Sequence, residues 1–342
     1  MRLDADNAVA YLRESGVIPA DASAAVEPLG GGVSNAVIRV SWADDAVVAK
    51  QPFPDLDVAE QWPADVARVH NEAAAARVYG DVATAVDDRG IHVPGVRFED
   101  SAEHVIVLDA APPSAETWKA DLLAGEVDPE IATRLGAFLA AVHETAGGDP
   151  EVEAAFDRYE PFEQLRLDPY HRTVAERHPD LADRIEREVE RIRTTRSTLV
   201  HGDYSPKNVL VDESTGDTRL WVLDFEVAHW GDPIFDLAFV CSHLCIKSVY
   251  RAEHGEQYVA AAESLLAAYR DAVGLPAERE RHFLTELGLL LVARVDGKSP
   301  VEYVERESTA ELIRTLGRRS LTGDVETFDE FASIRRAELE TV

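Results

Sequence analysis

Residues 198–239 read TLVHGDYSPKNVLV, then DESTGDTR, then LWVLDFEVAHWGDPIFDLAF, and this stretch limits the possible folds more tightly than any other. Two short apolar runs, Leu199-Val200 and Val209-Leu210-Val211, flank His201-Gly202-Asp203 and Asn208. A third run, Leu220 to Leu223, leads into Asp224 and Glu226. Buried strands alternating with polar loops gather carboxylates and one amide at strand ends. Asp236 follows in Asp-Leu-Ala, at the start of a long apolar segment.

Asp203, four intervening residues, Asn208, a hairpin and then Asp224 is the spacing of the catalytic and metal-binding loops of kinases. Phosphoryl transfer asks for a base aimed at the acceptor hydroxyl and oxygen ligands that fix magnesium on the phosphates. Asp203 suits the first task; Asn208 and Asp224 suit the second. The whole segment resembles the motif of the aminoglycoside phosphotransferase, choline kinase and methylthioribose kinase superfamily. That resemblance implies an α+β, bilobal protein-kinase-like fold. A small antiparallel-sheet N-lobe (1–110) would bind the nucleotide, and a larger, mainly helical C-lobe (111–342) would carry the catalytic loop and acceptor site. It also implies ATP or GTP with Mg2+, Glu226 as the second member of an Asp-x-Glu metal pair, and His201 and Asp236 as structural support, Asp236 accepting backbone hydrogen bonds from the catalytic loop.

The N-terminal third fits those expectations. A short amphipathic helix over 4–15 precedes strands at 24–29, 36–42 and 46–51. Between the first two strands lies Gly30-Gly31-Gly32-Val33-Ser34-Asn35, where glycines let backbone N–H groups approach phosphates; Gly31, Gly32, Ser34 and Asn35 are the candidate contacts. Lys50 ends the third strand and would reach the α- and β-phosphates, oriented by Glu72 in a helix over 65–79 that Gly80 closes. Glu60 is the rival partner, in the loop before that helix. Strands at 96–100 and 104–109 lead to Ala110-Ala111-Pro112-Pro113, where the inter-lobe hinge belongs, and backbone groups of Asp109 to Ala111 would hold the adenine.

Beyond the hinge the pattern is helical: 128–145, 163–176, 181–194, 236–245, 257–273, 279–294, 309–319 and 328–339. His143 reads as a packed histidine. Cys241 and Cys245 share a helix face as small buried hydrophobes, with too few ligands around them for a metal. Only about ten residues separate Asp224 from the next helix, which leaves no room for a protein-kinase activation segment, so the acceptor is a small molecule. Lys50-Gln51-Pro52, Gln61-Trp62-Pro63 and Asp224-Phe225-Glu226 resemble the methylthioribose kinase branch, which implies a sugar or sugar-like alcohol. Arg294 and Lys298 sit where that branch carries an arginine-containing substrate segment, although a capped helix end explains Arg294 to Ser299 equally well. The glycine loop matches aminoglycoside-type relatives too, leaving an aminoglycoside or amino alcohol as the alternative acceptor. A non-catalytic kinase-like binder would be expected to lack Lys50, Asp203 or Asp224. A Ser205-His201 hydrolase would need a G-x-S-x-G elbow that the chain does not contain.

Composition sets the outer bounds. The net charge of -30 argues against nucleic acid or an anionic membrane as partner. No apolar run reaches membrane-spanning length and no signal peptide is present, so a cytoplasmic location is expected. Nothing in the sequence sets an oligomeric state or selects ATP over GTP. Five lysines stand against twenty-nine arginines and 64 evenly spread acidic residues, the pattern of a protein adapted to a salt-rich cytoplasm; a high-GC genome would also favour arginine.

Overall fold

The computed structural model describes residues 1–30, 34–56, 62–86 and 90–340. Its strands are β1 (Ala24–Pro28), β2 (Asn35–Trp42), β3 (Asp45–Pro52), β4 (Ile91–His92), β5 (Val96–Asp100), β6 (Val105–Asp109), β7 (Glu116–Thr117), β8 (Thr198–Val200), β9 (Val209–Asp212), β10 (Arg219–Val222) and β11 (His229–Gly231). The helices are α1 (Ala8–Glu14), α2 (Arg68–Ala85), α3 (Trp118–Ala124), α4 (Pro129–Ala146), α5 (Pro150–Ala155), α6 (Glu160–Phe162), α7 (Thr173–Arg177), α8 (Ala182–Thr194), α9 (Ile234–Tyr250), α10 (Gly255–Val273), α11 (Ala277–Asp296), α12 (Glu307–Thr322) and α13 (Phe328–Leu339).

An antiparallel five-stranded sheet, ordered β1-β2-β3-β6-β5, forms the N-terminal region. Both of its faces are covered, and β6 shows why. Val105 and Val107 face a small core with Leu3, Ala8, Leu12, Ile38 and Val47, whereas Ile106 and Leu108 face Val69 and Ala73 of α2. Lys50 is in register with Ile106, so it points to the α2 side. Beyond it the chain is mainly helical and carries a second sheet, β4-β10-β9-β7, and the β8-β11 pair. This is the bilobal protein-kinase-like architecture, although the chain interleaves: β4, from before the hinge, pairs in parallel with β10.

α4 illustrates how local signals set the helices. Asp128 caps it by accepting from the Glu130 N–H at 2.9 Å, Pro129 occupies the first turn, and Ile131, Leu135, Phe138, Leu139 and Val142 bury one face. At Gly136 a Cβ would lie 2.3 Å from the Leu265 carbonyl of α10, so glycine sets the closeness of that crossing.

Two of the differences from sequence expectation have a cause in a single residue. α2 runs through Gly80 to Ala85, because Tyr79, Val82 and Ala83 are buried on both sides of the glycine and outweigh its propensity cost of about 1 kcal/mol. Residues 163–172 form a π-helix instead of the expected α-helix, continuing into α7. Pro169 has no N–H for an α-helical bond and its ring would clash with the preceding turn; the wider spacing, with Thr173 N–H donating to the Asp168 carbonyl, accommodates it. Among the described residues no helix is long and apolar enough to cross a membrane.

Candidate active site

β8 leads into the loop 201–208, read from the sequence as the catalytic loop, and Asp236 at the start of α9 holds it. The Asp236 carboxylate accepts from the N–H groups of His201 at 2.7 Å and Gly202 at 2.8 Å, and His143 Nε2 lies 3.3 Å away. Asp236 and His201 are fully buried, so these donors compensate a charge that would otherwise be costly. Gly202 has a φ of 76°, and a Cβ there would sit 2.7 Å from the Val227 carbonyl, so the turn requires glycine.

His201 donates from Nε2 to the Leu223 carbonyl at 3.1 Å and accepts the Asp203 N–H at Nδ1, 3.2 Å away. Burial lowers its pKa and favours the neutral ring this pattern requires. With both ring nitrogens engaged, His201 has none left to activate Ser205, which removes the hydrolase reading.

Asp203 is buried, with its Oδ2 3.0 Å from the Arg166 guanidinium and 2.9 Å from Lys207 Nζ. Burial raises its pKa, but those two cations outweigh it and keep the carboxyl ionised. Asn208 donates its amide to the Asp203 carbonyl at 2.9 Å, which orients the side-chain oxygen oppositely as an available ligand.

Asp224 adopts the left-handed region at φ 70°, which among non-glycine residues is best tolerated by Asp and Asn. Its Oδ1 lies 2.7 Å from Lys50 Nζ, and Lys50 also contacts Glu72 Oε1 at 2.6 Å. Burial alone would push the Lys50 ammonium down; the Asp224, Glu72 and Glu226 carboxylates hold it protonated. The same attraction, against burial, carries Asp224 below the ordinary carboxylate range. Among the described residues Asp224 Oδ2 has no hydrogen-bond partner.

Glu226 is placed differently from Asp224. Its Oε2 is 3.0 Å from both Arg68 Nε and the Asn35 amide, and the fully buried Arg68 also donates to the Ser34 carbonyl at 2.7 Å and the Phe53 carbonyl at 3.0 Å. Ser34 and Asn35, read as phosphate contacts, are therefore tied into this buried network. Gly31, Gly32 and Glu60 lie outside the described residues. At the expected hinge the Asp109 N–H donates to the Gly95 carbonyl at 2.9 Å, and the Ala111 carbonyl accepts a long 3.4 Å bond from Arg39, which leaves that oxygen a second lone pair.

Arg294 and Lys298 diverge. Arg294 packs over Tyr170, 5.6 Å from its centroid, and donates to the Tyr170 hydroxyl at 3.1 Å and the Ser299 carbonyl at 2.8 Å. Lys298 lies over the Trp62 ring at 5.0 Å, lining a cleft of about 510 Å³ with Gln164, Asp168 and Pro169. Trp62 donates to the Gln164 carbonyl at 2.8 Å, joining the segment before α2 to the π-helix.

Two site residues escaped sequence reading. Arg68 sits in an alanine-rich helix start and Arg166 in a polar stretch without a motif; the only hint at Arg166 was the proline that forces the π-helix around it. A buried lysine between two carboxylates, an amide-oriented asparagine and an ionised buried aspartate define a phosphotransferase-type cleft on a kinase-like scaffold.

Comparison with known proteins agrees. Residues 25–284 match the phosphotransferase enzyme family, and the chain belongs to it. It is 26% identical over 272 residues to a methylthioribose kinase of Bacillus cereus, covering 72% of this chain and 66% of that relative, so it spans just under two thirds of the curated relative's length. A microcompartment-associated aminopropanol kinase superposes with a TM-score of 0.60 at 18% identity, covering 93% of this chain and 99% of the other. A choline/ethanolamine kinase family protein from Mesorhizobium loti gives 0.51 at 20% identity, covering 97% and 99%. Those two show a shared fold.

Proposed function

We propose that this protein is a small-molecule kinase that moves the γ-phosphate of ATP or GTP to a hydroxyl of a sugar or sugar-like alcohol. The convergence of Asp203, Asn208 and the Lys50-centred Asp224 and Glu72 pair carries the reading. Lys50 is oriented toward the α- and β-phosphates by Glu72, and Asp203 accepts the hydroxyl proton as the oxygen attacks. The donor set suits magnesium: Asp224 Oδ2 is uncommitted and Asn208 offers a directed amide oxygen, both hard ligands. Bound there, the ion would neutralise charge on the β- and γ-phosphates. Glu226 contributes through the carboxylate oxygen that Arg68 and Asn35 leave open, so it is the weaker ligand. The sugar-like acceptor is supported by the methylthioribose kinase likeness, whose Trp62-Pro63 segment bridges the catalytic half of the chain.

Two variants test this. Asp203→Asn is expected to lower kcat at least about a hundredfold with nucleotide affinity little changed. Asp224→Ala is expected to abolish magnesium-dependent nucleotide binding by calorimetry, whereas Glu226→Ala weakens it less. Wild-type turnover in the first, or wild-type binding in the second, removes the corresponding role.

A further inference from the structure

The five lysines are unevenly placed for a chain with 64 acidic residues. Lys50 stands between Glu72 and Asp224. Three of the others crowd one side chain: after burial, the charges of Arg294, Lys247, Lys207 and Lys119 hold the His243 imidazole well below the usual histidine range. His243 and Lys247 lie on one face of α9 with Phe239, spaced four residues apart. Phe239 stacks on Tyr170 at 6.1 Å and carries the Arg166 guanidinium at 5.4 Å, and Arg166 reaches Asp203. The positive patch is thus continuous with the proposed base.

Two of its cations have no carboxylate partner among the described residues. Lys247 is fully buried, with the Tyr303 hydroxyl at 3.4 Å and the Tyr303 ring at 5.1 Å. Arg294 donates only to the neutral oxygens of Tyr170 and Ser299, and its buried Nε has no partner. Lys119 is engaged by Glu302. Burial, then Lys119 and Arg294, push the Lys247 ammonium down to about 7 against the opposing Glu302. An unpaired buried ammonium is destabilising. Lys247 and Arg294 thus stand as two cations without a carboxylate, and an anion brought from outside would keep the ammonium charged and offset that cost.

We propose that the phosphate acceptor is an anionic polyol, whose carboxylate or phosphate is held by Arg294 and Lys247 while a hydroxyl is presented to Asp203. The proposal rests on the phosphotransferase reading and names its substrate class. A guanidinium offers two parallel donors and an ammonium a point charge, a pairing suited to either anion. Amino alcohols would meet repulsion there. In the transfer the acceptor oxygen bonds to the γ-phosphorus, the bond from that phosphorus to the β-bridging oxygen breaks, the nucleoside diphosphate leaves with the electron pair, and the hydroxyl proton passes to Asp203.

The test is ligand-induced thermal stabilisation of the magnesium-nucleotide-loaded protein at constant potassium chloride. Four- to six-carbon aldonates and sugar monophosphates are compared with their neutral parent sugars and with ethanolamine. The expected result is half-saturation at least tenfold lower for an anionic member than for its neutral parent; whether aldonate or monophosphate prevails identifies the anion. Lys247→Met and, separately, Arg294→Gln should each lose at least tenfold in that affinity, and Lys247→Met should melt higher than wild type without acceptor. Neutral sugars or ethanolamine stabilising as well as the anions, no anion stabilising, or both variants retaining wild-type affinity would overturn the proposal. Magnesium-nucleotide binding by the wild type without acceptor reports on the phosphotransferase reading separately.

Discussion

His229 links local packing to the response of the fold to acid. It lies fully buried on Phe162 with ring centroids 3.9 Å apart, donates from Nδ1 to the Val227 carbonyl at 3.0 Å, and leaves Nε2 without a partner. Burial pushes its pKa down to about 4; the Val227 carbonyl and Asp236 oppose this only in part. An unfolded histidine titrates near 6.5, so the unfolded state binds the proton first. Stability from keeping the ring neutral is therefore complete above about pH 6.5 and is lost as pH falls toward 4. From pH 7 to 5, wild type should lose roughly 2 kcal/mol more unfolding free energy than His229→Phe, measured by urea denaturation. Parallel pH profiles would show that His229 is not held neutral by the fold. The residues legible from sequence were those that a single motif carries: Asp203, Asn208, Asp224 and Asp236 all fall between residues 203 and 236. Arg68 and Arg166 were not legible, because each finds its carboxylate through tertiary contact, across 158 residues for Glu226 and from the π-helix for Asp203.

Elements were readable wherever periodicity and capping agreed, as in α4, and misread where one residue's local preference was outvoted by packing. Gly80 looked like a stop signal, yet α2 continues through it; Pro169 sat in a helical pattern, yet the chain widened rather than broke. The glycines supply a matched pair of tests. At Gly80 a Cβ would meet nothing within 4 Å, so Gly80→Ala should gain stability of about 0.5–1 kcal/mol through backbone entropy alone. At Gly288, where α11 crosses α12, a Cβ would lie 2.5 Å from both the Gly317 carbonyl oxygen and the Leu321 nitrogen. Neither backbone atom can yield without moving a helix, so Gly288→Ala should lose about 1–3 kcal/mol despite the same propensity gain. Chemical denaturation of both variants checks this, and equal signs would mean that the α11–α12 crossing is looser than described. Tertiary approach distances of this kind leave no trace in a single sequence.

At the scale of the whole molecule, 64 acidic and 34 basic residues leave a charge of -30 on a chain with a pI near 4.6. Some of these carboxylates are satisfied internally: Asp203, Glu72, Glu226 and Asp236 are buried with cationic or backbone donors. The acidity of the exposed remainder is borne by solvent. Repulsion among exposed charges is screened over a Debye length of about 10 Å at 0.1 M salt and about 3 Å at 1 M. The buried pairs that build the cleft are screened far less, so added salt should relieve the surface without dissolving the site. The thermal midpoint is therefore expected to climb between about 0.1 M and 2 M potassium chloride. Chloride is the discriminating anion, because sulfate or phosphate would strengthen apolar burial in any protein. A midpoint that stays flat or falls across that range would sink the salt-adapted interpretation and leave the arginine excess to genome composition. A climb with magnesium-nucleotide binding retained would place the surface charge and the catalytic charge under separate control, the first tuned to the solvent and the second to the phosphates.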